Sequence, residues 1–155
     1  MQHPLQISRR IEYGLRAMLY LASQPVGAIV PFREIATRMD VPQDFLAKIL
    51  KKLVSEKLAA STRGSHGGFT LGRAASEITF LDVIEAVEGP VKLNLCTDKN
   101  DLDHSACSFS GGCTMLSVWR LGQERMLEVY RHARLDKLAM SGLREDPIAA
   151  LGTPG

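Results

Sequence analysis

The sequence predicts a mainly α-helical protein with one small β-hairpin. Three observations lead to this fold class. Apolar residues recur at three- and four-residue spacings in several stretches, as they do on the buried face of a helix. A glycine-rich turn separates two short extended runs in the middle of the chain. A heptad-like apolar stripe fills a long segment near the end, which is typical of a helix that packs on another helix.

The first helix is predicted over residues 8–23. Ser8 suits the N-cap, and the turn residues at 24–27 end the helix. Its inward stripe is amphipathic in spacing and consists of Ile11, Leu15, Met18, Leu19 and Ala22.

Two further helices follow, joined by a turn of about four residues, as in a helix-turn-helix. The second begins at Pro31 and the third at Pro42, because proline suits a first helical position. The inward side of the second comprises Phe32, Ile35, Ala36 and Met39, and that of the third comprises Phe45, Leu46, Ile49, Leu50 and Leu53. The opposite face of the third carries Gln43, Asp44, Ala47, Lys48, Lys51, Lys52 and Ser55.

The glycine-rich turn at residues 64–68 directly follows these helices and presents Arg63 and His66 at its tip. A hairpin in this place is a wing, so residues 1–75 are predicted to form a winged helix-turn-helix domain that binds double-stranded DNA. This part of the chain carries 11 Lys/Arg against 5 Asp/Glu, whereas residues 76–155 carry 8 against 12. A basic half joined to an acidic half agrees with a DNA-binding domain followed by a sensing or dimerisation region.

The candidate DNA contacts fall into three chemical groups. Lys48, Lys51 and Lys52 are expected to meet phosphates or guanines, and Gln43 and Asp44 to meet base edges. Arg63 and His66 belong to the wing, where Gly64 and Gly67 allow the backbone to approach DNA closely. The alternatives are a solvated helix face and a simple tight turn. A winged helix that binds another protein instead of DNA also stays open.

The second half of the chain begins with a linking helix in residues 76–90. Thr79 suits its cap, and Phe80, Leu81, Ile84 and Val87 face inward. Residues 91–113 are predicted to be a loop, and residues 114–140 a long C-terminal dimerisation helix. Its seam would consist of Met115, Trp119, Gly122, Met126, Val129 and Ala133. The alternative is a helix that faces its own core. Residues 141–155 are rich in Gly, Pro and Ala and are expected to be disordered.

Several classes of protein are disfavoured by the sequence. No run approaches the roughly 18 apolar residues of a membrane span, and the start lacks the apolar region of a secretory signal. We therefore expect a cytoplasmic protein with no membrane partner. No Ser/His/Asp set, phosphate-binding glycine motif or HExxH pair is evident, so neither an enzyme nor a small-molecule substrate is expected.

The three cysteines, Cys96, Cys107 and Cys113, lie in the predicted loop in the pattern C-x10-C-x5-C. A reducing cytoplasm disfavours a structural disulfide, so metal binding or redox chemistry is the better explanation. Thiolates bind iron–sulfur clusters and zinc, but the C-x2-C knuckle usual for zinc is absent. An iron–sulfur cluster, a zinc ion and a thiol redox switch all stay open at this point.

Several segments together carry a family resemblance. They are E-Y-G-L-R-A-M at residues 12–18, V-P-Q-D-F-L-A-K-I-L at 41–50, R-G-S-H-G-G-F-T-L at 63–71, residues 78–88, the three cysteines, and V-W-R at 118–120. Over residues 5–138 the chain resembles the Rrf-two family of bacterial regulators. The resemblance implies a homodimeric repressor or activator on a palindromic operator, with a [4Fe–4S] or [2Fe–2S] cluster in the cysteine loop of three-cysteine members.

The resemblance also implies where a fourth cluster ligand would be. In some members it is a His shortly after the third cysteine, but Leu116 occupies the matching position here. In others it is a carboxylate in the first helix of the other subunit, and the matching residue is Glu12. The first cysteine gap is longer than in better-known members, and the additional residues include His104, an alternative ligand.

Overall fold

The computed structural model describes residues 6–94, 109 and 113–140. It confirms the predicted fold class, since the described residues form helices and one two-stranded antiparallel hairpin. The elements are α1 (Arg9–Ser23), α2 (Phe32–Met39), α3 (Gln43–Ser55), β1 (Ala59–Thr62), β2 (Gly68–Leu71), a 3-10 turn (Ala75–Glu77), α4 (Phe80–Glu88), α5 (Thr114–His132) and α6 (Leu135–Met140). None of the described helices has the length and apolar character to cross a lipid bilayer.

Helix α1 lies at the centre of the fold and packs against α2, α3, α4, α6 and β2. Ser8 is its N-cap, as predicted, and its hydroxyl accepts a hydrogen bond of 3.3 Å from the Ile11 amide. Met18 and Ala17 are completely buried. Because helices from both halves of the sequence pack on α1, the linking helix and the DNA-binding helices share one core.

The turn between α2 and α3 has a left-handed residue, Asp40, with φ of 51°. The amide of Val41 donates to the Ala36 carbonyl at 3.0 Å and closes the end of α2. Pro31 and Pro42 are N-caps instead of first helical residues, and both have extended backbone. The fixed φ of proline near −60° suits either position, so the sequence placed each helix start one residue too early.

Helix α3 buries most of its predicted stripe, since Leu46, Ile49, Leu50 and Leu53 are at most 3% exposed. Phe45 is the exception, because 44% of it is exposed, and its assignment to the inward side was wrong. It lies on the flank of the stripe, where its ring meets the edge of Tyr13 at 6.0 Å between centroids. One flank position of an amphipathic helix is therefore only partly covered by α1.

The hairpin pairs Ala59 with Leu71 and Thr62 with Gly68. Its second strand also pairs with Val30, whose amide and carbonyl both bond Phe69 at 2.8 Å. A Cβ added to Gly68 would lie 2.2 Å from the Val30 carbonyl oxygen. Glycine at this position therefore lets the wing attach to the segment that precedes α2.

The predicted single helix over residues 114–140 is two helices, which corrects the expected domain description. Helix α5 ends at His132, and the backbone of residues 133–135 then pairs with that of residues 78–80. The amide of Phe80 donates to the Ala133 carbonyl at 2.8 Å, and the Leu135 amide donates to the Ile78 carbonyl at 3.0 Å. Ala133 and Leu135 are buried in the core, so Ala133 does not belong to an exposed seam.

We predict that Gly68→Ala destabilises the protein by at least about 2 kcal/mol, because the added carbon meets backbone that cannot move away cheaply. The measurement is urea unfolding at fixed protein concentration. Ser65→Ala at the exposed hairpin tip is the matched control and should change the stability by less than about 0.5 kcal/mol. Equal stabilities for the two variants would contradict the attachment of the wing through Gly68.

Candidate functional site

The outer face of α3 is exposed and carries most of the predicted DNA contacts. Successive residues of a helix are about 100° apart, so Asp44, Lys48 and Lys51 lie opposite the buried stripe. Gln43 opens the helix and is also exposed. Within the part of the chain that the structure describes, Lys48 and Lys51 make no hydrogen bond or ion pair. Their ammonium groups are therefore available to an external anion.

Lys52 differs from the other two lysines. Its Nζ donates a hydrogen bond of 2.6 Å to the carbonyl oxygen of Val87, in the last turn of α4. The sequence placed Lys52 on the same open face as Lys48 and Lys51. The structure turns it along the flank of α3 towards α4, so its charge already has an internal partner.

Arg63 and His66 are exposed residues at the hairpin tip. The hairpin follows α3 in the chain. The His66 ring lies 3.1 Å from the Ser65 hydroxyl, and among the described residues Arg63 has no hydrogen-bond or ion-pair partner. Gly64 has φ of 114° and nothing within 4 Å of an added Cβ, so its backbone is open to an approaching molecule. Gly67 is different, because an added Cβ would lie 2.3 Å from the Thr62 carbonyl oxygen. Closing the turn is thus sufficient reason for glycine at position 67.

A shallow cavity of about 210 Å³ lies between α1, α3 and the end of α4. Phe45 and Ile49 form its apolar wall, and Arg10 adds a positive charge. The sequence did not identify Arg10 as part of the site. The signal available was the Arg9–Arg10 pair at the start of α1, which the fold brings beside Lys48 and Lys52.

Cys113 is the one predicted cluster cysteine that the structure describes; Cys96, Cys107 and His104 lie outside the described residues. Cys113 is the N-cap of α5, half-buried, and its thiol makes no capping hydrogen bond. Leu116, one turn into α5, is half-buried as well. Among the described residues, no three His, Cys, Asp or Glu side chains lie close enough together to hold a metal ion.

We call the residues between Leu93 and Cys113 the cysteine segment. Both residues that flank it are attached to α5. Cys113 begins the helix, and the Leu93 amide donates to Gln123 Oε1 at 2.9 Å. Ten residues of helix separate Cys113 from Gln123, which corresponds to about 15 Å. The segment that contains Cys96 and Cys107 therefore starts and ends on the same helix.

Glu12, the predicted fourth ligand, lies on the exposed side of α1 with 51% of its side chain accessible. Its carboxylate pairs with Arg16, one turn along the helix. Arg16 also donates to the Met39 carbonyl at 3.3 Å and lies 5.8 Å from the centre of the Tyr13 ring. The carboxylate is accessible from outside the chain, and Arg16 is the cation that a metal would have to displace.

Helix α5 exposes one continuous apolar face. Its six members lie within about 100° of one another around the helix and are Met115, Val118, Trp119, Gly122, Met126 and Val129. Trp119 is 41% exposed and Val118 is 69% exposed. The adjacent side of the helix faces the core, where Tyr130 packs on Phe80 with 5.3 Å between ring centroids. All predicted seam residues except Ala133 therefore lie on one outward face.

Comparisons with known proteins agree with this architecture. A sequence profile of the Rrf2 (Rrf-two) family, described as iron-dependent transcriptional regulators, matches residues 7–141. Rv1287 of Mycobacterium tuberculosis, whose name assigns it to the HTH-type transcriptional regulators, is 32% identical over 91% of this chain and 85% of its own length. The HTH-type transcriptional regulator IscR of Pectobacterium carotovorum is 28% identical over 86% of this chain and 79% of its own length.

A solved structure has the same fold. The global cysteine regulator CymR of Bacillus subtilis superposes with a TM-score of 0.70 at 25% identity, covering 88% of this chain and 97% of that protein. The matching family and the named relatives are transcriptional regulators, which confirms the expectation that the chain is not an enzyme. On the family match and this similarity, the chain belongs to the Rrf2 family of winged-helix transcriptional regulators.

Proposed function

We propose that the chain is a homodimeric regulator that binds a palindromic operator and whose operator binding is controlled by an iron–sulfur cluster. The observation that carries the DNA-binding part is the uncovered outer face of α3, with Lys48 and Lys51 unpaired among the described residues. A lysine with an internal partner would lose that bond on contacting a phosphate, so its contribution to the binding free energy would be smaller. A lysine without one keeps the full contribution from releasing counterions from DNA. Gln43 and Asp44 at the start of α3 are the proposed contacts to base edges.

The wing adds the second half of the DNA surface. Arg63 and His66 are proposed to contact backbone or minor groove, with Gly64 and Gly67 adding no side chain of their own at the tip. Lys52 belongs to the predicted set, but its bond to Val87 makes it the weakest candidate among the three lysines.

The proposed dimer uses the apolar face of α5. Trp119, Val118 and Met115 are large side chains exposed to solvent on one side of a helix of 19 residues. Exposed apolar faces of this kind favour association, and a coiled-coil-like pairing of two copies buries the same surface on both. A second copy also supplies the second recognition helix that a palindromic operator requires.

The chemistry of the donor set fits an iron–sulfur cluster. Cys96, Cys107 and Cys113 would supply thiolates, and Glu12 of the other subunit would supply a carboxylate. When bound, the cluster would supply iron–ligand bonds, which are lost when iron is removed or when nitric oxide or oxygen attacks the cluster. Cys113 is half-buried at the start of α5 and would place one ligand there, and the exposed Glu12 is accessible to another chain. The matching family is described as iron-dependent transcriptional regulators, which supports iron as the metal.

Control of DNA affinity follows from the geometry of the helices. Two recognition helices must be about one helical turn of DNA apart to enter successive major grooves. A link between the start of α5 and the partner's α1 would fix this spacing, because α1 packs directly on α3. Breaking the link shifts the population of the competent arrangement and with it the affinity for the operator.

A cluster-free regulator that uses its cysteines as a thiol redox switch is the second candidate. The likeness to CymR shows that the fold also serves a regulator whose name refers to cysteine and not to iron. The long first cysteine gap favours this second candidate.

For the DNA contacts we predict that Lys48→Ala and Arg63→Ala each reduce the magnitude of the slope of log affinity against log salt by about 1.8, because each subunit of the dimer loses one contact worth about 0.9. Each variant loses one phosphate contact in each subunit, so binding to a mixed-sequence duplex weakens most at low salt. Fluorescence anisotropy over a salt series measures the slope. Arg125→Ala, which removes the same charge from α5, is the control and should leave the slope unchanged. Equal slopes in all proteins would contradict DNA binding through α3 and the wing.

For the dimer we predict that Trp119→Glu weakens self-association at least about 30-fold, because it places a charge in an apolar seam. Analytical ultracentrifugation over a concentration series gives the dissociation constant. Glu124→Gln, on the opposite side of α5, should leave that constant unchanged. A monomeric wild-type protein, or an undisturbed Trp119→Glu dimer, would contradict the proposed interface.

For the cofactor we predict that protein purified without oxygen is brown and contains near-stoichiometric iron and sulfide. Their ratio to protein distinguishes a [2Fe–2S] from a [4Fe–4S] cluster. Cys113→Ala should lose both elements and Glu12→Ala should retain them poorly, whereas Ser117→Ala, one turn into α5, should behave as wild type. A colourless, metal-free wild-type protein that binds DNA tightly would reject the cluster and favour the thiol switch.

A further inference from the structure

The end of α4 is attached to two helices of the DNA-binding domain, α3 and α1. Its Val87 carbonyl accepts a hydrogen bond of 2.6 Å from Lys52 in the last turn of α3. The Glu88 carboxylate accepts a hydrogen bond from the hydroxyl of Ser8, the N-cap of α1. Gly89 then ends the helix with φ of 89°. The last turn of α4 is therefore held from two sides within one chain.

This turn also leads directly to the cysteine segment. Only a few residues separate Gly89 from Leu93, whose amide is bonded to Gln123 on α5. Helix α4 thus contacts α3 through Val87, and the chain enters the cysteine segment within a few residues of the end of α4. Residues 90–94 therefore connect the turn that Lys52 contacts with α5.

Close packing prevents the last turn of α4 from moving independently of α1. Val87 is 1% exposed, and its Cγ2 lies 2.9 Å from the position that a Cβ on Gly14 would occupy. Helix α4 is therefore in close contact with α1 at the same residue whose carbonyl binds Lys52. Any shift of Val87 is transmitted to α1 by contact and to α3 by the hydrogen bond.

The electrostatics favour this bond over a phosphate contact. The carbonyl end of a helix carries partial negative charge, and an ammonium placed there is stabilised by the macrodipole and by a charge-assisted hydrogen bond. If Lys52 contacted DNA, it would lose its hydrogen bond to the Val87 carbonyl. Lys48 and Lys51 have no such partner among the described residues, so only they reach DNA without an internal loss.

We propose that Lys52 is a positioning residue that couples the orientation of α3 to the cysteine segment through the end of α4, and that it does not contact phosphate. The coupling rests on the proposed function, namely that the state of the cysteines controls DNA affinity. The assignment of Lys52 itself rests on the Val87 bond and holds for a cluster and for a thiol switch alike.

The first measurement separates a positioning role from a phosphate contact. Binding of Lys52→Gln and Lys51→Gln is measured over a salt series on the duplex that the wild-type protein enriches from a random-sequence library. Lys51→Gln should lower the magnitude of the slope of log affinity against log salt by about 1.8, one contact per subunit of the dimer, while Lys52→Gln keeps the wild-type slope. An equal decrease in both variants would overturn the proposal.

The second measurement tests the coupling itself. The affinity for the same duplex is compared before and after alkylation of the cysteines with iodoacetamide, which blocks a cluster and a thiol switch alike. Wild type and Lys51→Gln should show the same ratio of affinities, and Lys52→Gln should show one smaller by at least about fivefold. Lys52→Arg, which retains a donor, should restore the ratio. A wild-type ratio in Lys52→Gln overturns the proposal.

Hydrogen exchange checks that Lys52→Gln acts where the structure places the bond. The Gly89 amide, which donates to the Glu85 carbonyl at 2.8 Å, should exchange faster in Lys52→Gln than in Lys51→Gln. Unchanged exchange there overturns the assignment. A wild type that binds DNA with no response to alkylation overturns the coupling together with cysteine control. Failure to enrich any duplex rejects the DNA-binding function instead.

Discussion

The close approach of α1 to α4 at Gly14 is the contact on which the remaining structure depends. A Cβ there would lie 2.9 Å from Val87 Cγ2 and 3.5 Å from Ile49 Cγ2, so the absence of a side chain lets α1 settle between α3 and α4. With α1 in this position, its other sides pack on α2, β2 and α6. One small residue thus allows a single core to join the DNA-binding helices with the helix that leads to the cysteines.

This arrangement gives the charges of α3 different environments. The outer face keeps Lys48 and Lys51 open, whereas the flank facing α4 gives Lys52 a carbonyl partner. The same flank holds Phe45 and the small cavity beside Arg10. The outer face is therefore suited to an external polyanion, and the flank is suited to maintaining the angle between α3 and α4.

Much of this fold could be predicted from local signals. Apolar spacing located α1, α3 and α4, and the caps Ser8 and Thr79 were recognisable because side-chain capping is a short-range interaction. The glycine-rich turn located the wing. Each of these features depends on residues within a few positions of one another.

The features that sequence reasoning missed depend on distant partners. Ala133 and Arg134 are compatible with a helix, and α5 ends there because their backbone pairs with residues 78–80. The sequence does not distinguish Lys52 from Lys48 and Lys51, because its hydrogen-bond partner Val87 is 35 residues away. Phe45 sits where apolar periodicity cannot distinguish the edge of a buried stripe from its centre. Of the proposed cluster ligands, the structure describes Glu12 and Cys113.

Selection from a random-sequence duplex library tests the central claim most directly, because it asks whether two recognition helices read DNA together. Purified protein is used to enrich duplexes over several rounds, and the bound pool is sequenced. Our account predicts an inverted repeat whose half-sites are about one helical turn apart, about 10 base pairs centre to centre or a multiple of it. A pool with no enriched sequence, or with a single unrepeated half-site, would contradict a dimeric regulator that binds a palindromic operator.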